Sequence, residues 1–244
     1  ACRRGTYGDG WANSTAGSIS TSRIAAAIAS SVDLVRWQDF AEMTEGLFDR
    51  LVGQAVAQAR EAAATQGYFS ARVDLALDRS ALPLLVTLTV TPGRPTVIGA
   101  VRIDVTGDAT TTAHGQATVQ RVHDEWLLPV GDEFRQRRWT AAKDAAVGTL
   151  VAHAFMAARL VESEARVDPA TDTAALSVAL DSGPAFRFGR FEFRGLSRYA
   201  PEMVRNFSSI EAGSLFSERA LDDTVRRLLG SGYFASVQAS IDPD

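Results

Sequence analysis

The chain has 244 residues, 46% of them apolar and 22% charged, with a formal net charge of −4. This is the composition of folded protein, long enough for one to three domains, and it excludes wholesale disorder. The acidic balance argues against a nucleic-acid binder, and no run approaches the roughly 18 to 20 consecutive apolar residues of a membrane helix. The single cysteine, Cys2, rules out an internal disulfide and a cysteine metal cluster, leaving a lipid anchor or an ordinary thiol as its readings. The N-terminus lacks signal-peptide order, so the expectation is a soluble segment whose export signal, if any, was removed or lies elsewhere.

Taken in chain order, residues 1–20 show neither alternation nor β-branched runs, and no strand is placed there. "RIAAAIASSVDLVRW" (23–37) reads as a first helix. Phe48, Leu51, Val52, Ala55 and Val56 then step at helical spacing toward Gly67-Tyr68-Phe69. Glycine fills the left-handed C′ position of a helix without a Cβ penalty, so Gly67 is the predicted stop, with the aromatic pair packing the helix end onto a sheet. Period two follows: Val73, Leu75 and Leu77 alternate with Arg72, Asp74 and Asp78 over 71–78, and a second strand at 84–90 completes a hairpin.

The pattern then recurs. "TVIGAVRIDVTG" opens with a strand carrying Val101, Ile103 and Val105, a helix is predicted over about 112–126, and a second helix starts at "RQRR" (135–138). Ala154, Phe155 and Met156 occupy the Gly-Tyr-Phe slot, so this helix is expected to end differently or run longer. Strands at 159–167 and 174–180 follow. In the third pass, "AFRFGRFEFRG" supplies Phe186, Phe188, Phe191 and Phe193 to an opening strand, and Pro201 suits the first position of a helix over about 200–207. Ser217 is the predicted N-cap of a helix bearing Leu221, Val225, Leu228 and Leu229. Gly232-Tyr233-Phe234 stops that helix, and "ASVQASI" (235–241) begins a hairpin.

Two further markers keep register with these elements: Gly93 and Gly99 match Gly183 and Gly189, and the G-x-x-F of Gly131 to Phe134 returns at Gly213 to Phe216. The fold class read from them is α+β: three tandem β-α-α-β-β units, each a small mixed three-stranded sheet covered on one face by two helices. The units span 1–94, with an irregular start, 95–183 and 184–244, the last without its final strand. The sequence closes inside the turn after 235–241, so a longer protein is expected.

This order, with "DSGPAFRFGRFEFRGLSRY" (181–199), "LLGSGYFASVQASID" (228–242) and "AATQGYFSARVDL" (63–75) carrying it, resembles the POTRA domains that precede the barrel of Omp85-family outer-membrane proteins. The likeness covers about residues 34–244 and is nearest to the three-POTRA periplasmic region of the outer-membrane subunit of the translocation and assembly module. The resemblance implies a non-catalytic region on the periplasmic face of the bacterial outer membrane. Its implied partners are unfolded outer-membrane proteins such as autotransporters, a TamB-like inner-membrane-anchored protein, and a covalently continuing transmembrane β-barrel. Other readings are a two-partner-secretion transporter, the central barrel-assembly protein, or a free periplasmic adaptor without a barrel.

The residues support no catalytic, cofactor or metal site. His114, His123 and His153 lack metal-ligand spacing, with His153 placed in a core-facing helix, and neither a G-x-S-x-G elbow nor a P-loop is present. "RQRR" could be read as a phosphate or headgroup patch, but a solvated face is the reading preferred, and "NST" (13–15) is a chance-level glycosylation match. The candidate interaction residues lie on the first strand of each hairpin, because an unpaired strand edge is a template for an added strand. They are Arg72, Val73, Asp74 and Leu75; Leu160, Val161 and Glu162; and Ala235, Ser236, Val237, Gln238 and Ala239. Gly67, Tyr68, Phe69, Gly195, Gly232, Tyr233 and Phe234 are the structural determinants.

Overall fold

The computed structural model describes residues 15–38, 40, 42–80, 85–196 and 198–241, with side chains in the first helix from Arg23 onward. Cys2, most of the "NST" match and the start of the first predicted unit lie outside the described residues. The elements run α1 (Thr15–Ser31), α2 (Asp33–Arg36), α3 (Glu45–Thr65), β1 (Arg72–Asp78), β2 (Leu85–Thr91), β3 (Val97–Thr106), a 3₁₀ turn (Asp108–Thr110), α4 (Ala113–Asp124), α5 (Gln136–Ala152), β4 (Arg159–Asp168), β5 (Thr173–Asp181), α6 (Pro201–Arg205) and α7 (Glu218–Gly230). Helices and small sheets are thus mixed as expected, in an α+β fold.

The complete β-α-α-β-β order appears at 97–181. The strand order is β3-β5-β4, so β5 is central. Val97 N donates to Asp172 O at one end of the β3–β5 contact and Ser182 N to Thr106 O at the other, so these two strands run parallel. Arg159 reaches Asp181 at 2.8 Å across the β4–β5 hairpin, which is antiparallel. In sequence before it, the first repeat contributes helices and one hairpin, with β1 and β2 paired antiparallel from Arg72↔Thr91 to Asp78↔Leu85. The third repeat contributes α6 and α7.

Compact contacts divide the chain into two units, residues 1–101, 128–141 and 165–176 in one and 102–127, 142–164 and 177–244 in the other. In the first unit, Ile24, Ile28 and Val32 pack with the alanine face of α3 (Ala55, Ala59, Ala62, Ala63) and with Tyr68 and Val73. Small side chains let the α1 and α3 backbones approach closely, and Thr44 caps α3 by accepting from Leu47 N at 3.3 Å. The expected single helix over 23–37 is instead two: Val32, extended and fully buried, interrupts it, and Asp33 N donates to Gln58 Oε1 on α3 at 2.9 Å. In the second unit, Val122, Leu150, Phe155, Val178 and Leu180 are buried. There Gly115 lets α4 lie against the 3₁₀ turn, because a Cβ at that position would meet Ala109 O at 2.3 Å. Ser217 caps α7 as expected, accepting from Ala220 N at 3.4 Å, and Pro201 opens α6.

Candidate functional site

Two of the three candidate edges are strands that, among the described residues, have a neighbour on one side only. β4 flanks β5 at the margin of its sheet. Its first half carries the candidates Leu160 and Val161, 37% and 55% exposed, next to the exposed Glu162. Adjacent exposed apolar side chains on an edge are what natural sheets ordinarily avoid, since the row of unpaired N–H and C=O groups already invites another strand. β4 is anchored at both ends. Hydrogen bonds from Thr171 and Ala170 hold the Asp168 carboxyl below the ordinary carboxylate range. The Gly183 amide, and after it Arg159, does the same for Asp181. On β1, Arg72 and Asp74 are exposed, Leu75 is half-buried and Val73 is in the core. The side chain of Val73 therefore anchors the strand to the core, and what it can offer a partner is its backbone.

The third candidate edge is not a strand. Ala235, Ser236, Val237, Gln238 and Ala239 form no ladder, and no described segment pairs with 235–241. A strand exists only through its ladder, and alternation in the sequence cannot supply a neighbour. The opening strand expected at "AFRFGRFEFRG" is similarly reduced to one bridge, Arg187↔Leu215, with Gly195 at φ +79° beyond it.

The Gly-Tyr-Phe and G-x-x-F markers meet in a repeated backbone clasp. At the first stop, Gly67 sits at φ +92° while Tyr68 N donates to Ala63 O and Gly67 N to Ala64 O, closing the end of α3. The Gly67 carbonyl accepts from Thr96 N at 2.8 Å, and the Thr96 carbonyl from Phe134 N at 2.8 Å. Gly131 N then donates to Ile98 O, and Ile98 N to Asp132 O. The ring of Phe69 meets that of Phe134 at 5.6 Å. At the second stop the same bonds recur: Ala154 O accepts from Phe186 N, Phe186 O from Phe216 N, and Phe188 exchanges bonds with Gly213 and Ser214. Phe155 N donates to Leu150 O, so α5 ends as α3 does. The expected difference is overturned because Ala154 itself adopts the left-handed conformation, at φ +82°.

At the third stop Gly232 repeats the turn at φ +74°. Tyr233, however, is 52% exposed where Tyr68 and Phe155 are buried, and it stacks edge-on with Tyr199. Sequence reading singled out both markers but not their mutual hydrogen bonds. It missed Thr96, which is fully buried and whose side-chain oxygen has no hydrogen-bond partner among the described residues. The equal register of G-x-x-F and the paired glycines was the signal.

The chemical motifs resolve into structural contacts. His153 lies just past α5, its Nδ1 against Thr149 O at 2.8 Å, and its own carbonyl meets His114 Nε2 at 3.2 Å. Among the described residues no group of His, Cys, Asp and Glu could hold a metal ion, and no helix is long and apolar enough to cross a membrane. Within "RQRR", Arg135 pairs with Glu133 and Arg138 with Asp132, so two of its three guanidinium groups face neighbouring carboxylates.

Comparison with known proteins identifies one segment. The family POTRA, described as surface antigen variable number repeat, matches residues 186–244 of the chain. Among solved structures, the chain is similar to POTRA3-5 of Haemophilus influenzae BamA, at 20% identity and TM-score 0.47, covering 84% of this chain and 77% of that one. It is also similar to the N-terminal domain of Omp85 from Thermosynechococcus elongatus, at 18% identity and TM-score 0.31, with 83% and 78% covered. For Haemophilus ducreyi BamA lacking POTRA domains 1-3, the values are 17% identity and TM-score 0.46, with 59% of this chain and 26% of that one covered.

Proposed function

We propose that the chain is the POTRA region of an Omp85-type protein, working in outer-membrane protein assembly on the periplasmic side, and that residues 1–94, 95–183 and 184–244 are its three POTRA domains. The POTRA match at 186–244 supports the class, and the repeated clasp extends it to the earlier repeats. The role is reception and guidance of unfolded polypeptide, with no catalytic group. The observation that carries it is the β4 edge, where Leu160 and Val161 stand exposed beside an open row of backbone groups. An extended segment adding there gains main-chain hydrogen bonds, while Leu160 on one face of the sheet and Val161 on the other offer it apolar contacts.

Within this reading the chain belongs to a protein of the TamA type, with autotransporters among its substrates, a TamB-like inner-membrane-anchored protein engaging the first domain, and a barrel continuing after the third. The sequence resemblance at 181–199 and 228–242 supports that choice. A central barrel-assembly protein fits the same edge equally. The test is photocrosslinking from position 161 to an unfolded outer-membrane protein diluted out of urea. Labelling well above that from position 226, exposed on α7, is expected, and labelling no stronger than at 226 refutes the substrate role.

A further inference from the structure

The chain is acidic as a whole, with a net charge of −4, yet one stretch reverses the sign. Residues 187–205 hold five arginines, Arg187, Arg190, Arg194, Arg198 and Arg205, against two carboxylates, Glu192 and Glu202. Arg187 is committed to the fold, donating to Gly213 O at 2.7 Å. The other four are exposed. Arg194 stands 3.4 Å from Glu192, but both side chains are almost fully in solvent, at 90% and 80%, and a pair so exposed is weak. Among the described residues Arg190, Arg198 and Arg205 have no carboxylate at ion-pair distance.

The aromatic residues show how part of this row is presented. The rings of Phe191 and Phe193 stack nearly parallel at 5.9 Å, so these alternate residues share one side of the chain. Both are half-buried, while Arg190, Glu192 and Arg194 between and around them are exposed on the other side. Tyr199, half-buried next to Arg198, is held by edge-on contacts with Tyr233 and Phe234. The segment is therefore anchored by rings and presents guanidinium groups to solvent.

We propose that residues 190–205 form a docking surface for an anionic lipid bilayer, with Arg190, Arg194, Arg198 and Arg205 engaging phosphate headgroups. Guanidinium groups match phosphate oxygens two bonds at a time. Arginines strung along a segment suit many phosphates side by side, as a bilayer offers, and the aromatic rings interleaved with them are what interfacial segments carry. A chain of net charge −4 is repelled by an anionic bilayer unless its cations are gathered on one surface, so the arrangement decides the outcome. This surface is separate from the β4 edge and goes beyond the substrate role proposed above, so either can fail alone.

The test is co-sedimentation of the whole chain with phosphatidylcholine vesicles, with and without about a third phosphatidylglycerol. Binding is expected only to the anionic vesicles, and about 0.5 M salt is expected to abolish it. The triple variant Arg190→Glu, Arg194→Glu, Arg198→Glu is expected to bind at least about thirtyfold more weakly. A control with the same change in charge, Arg60→Glu, Arg94→Glu, Arg137→Glu, alters three other exposed arginines and is expected to bind within about threefold of the parent. Where charge reversal lowers the unfolding midpoint, the Arg→Gln changes at 190, 194 and 198 replace it and are expected to weaken binding in the same direction. Equal binding to both vesicle types overturns the proposal, as does an equal loss in the two triple variants. Binding of soluble polyglutamate without binding of anionic vesicles also overturns it, by assigning the surface to an acidic polypeptide.

Discussion

The middle and first repeats use one plan to different completion. β5 is flanked twice and its inward side chains are sealed, while β2, with the same place in the repeat and an equally interior-like sequence, is flanked once and its inward side chains remain half-buried. Among the described residues the difference lies in one strand: β3 flanks β5, and β2 has no such neighbour. The clasps make the opposite point. Their hydrogen bonds to the following segment are the same in both copies although one stop is glycine and the other alanine, so those bonds fix the turn and the residue at the stop decides its strain.

The largest expected effect tests the clasps. A Cβ at residue 67 would sit 2.1 Å from Phe134 O, at a φ of +92°. Gly67→Ala should therefore destabilise by about 2–4 kcal/mol, read from denaturant unfolding. The mirror change should have the opposite sign. Ala154 is already left-handed, and Ala154→Gly removes that strain at some cost in unfolded-state entropy, for a net gain of about 0.5–1 kcal/mol. Equal signs for the two changes would break the claimed equivalence of the stops. The smallest effect concerns the β4–β5 hairpin. Asp168 and Asp181 titrate below their ordinary value of 3.8, so their contribution is complete above that value and is lost as pH falls through the lowered ones. Amides near residues 168–171 and 181–183 should lose exchange protection there first, while the β1–β2 hairpin holds.

Much of this was legible in the sequence because it is local. Helical spacing, the Ser217 cap, Pro201 and the alternation of 71–78 all depend on residues within a turn or a strand of one another. What stayed hidden depends on a distant partner. The left-handed Ala154 is imposed by the bond from Phe186 N to its carbonyl and by that from the next residue, Phe155 N, to Leu150 O, against its own preference. Residues 235–241 alternate yet form no strand, because no described ladder partner is present. The burial of Val73, and the pairing of β2 with β1 alone among the described residues, follow from which strands are neighbours, and that information is not local.

The central claim is that, among the described residues, the first repeat carries the hairpin of the middle repeat without a counterpart of β3. Amide exchange of β2 and β5 in the chain alone tests it most directly. The account predicts slow exchange at every interior amide of β5, and at β2 a strict alternation of slow amides facing β1 and fast amides facing outward. Uniformly slow exchange along Leu85–Thr91 would contradict it.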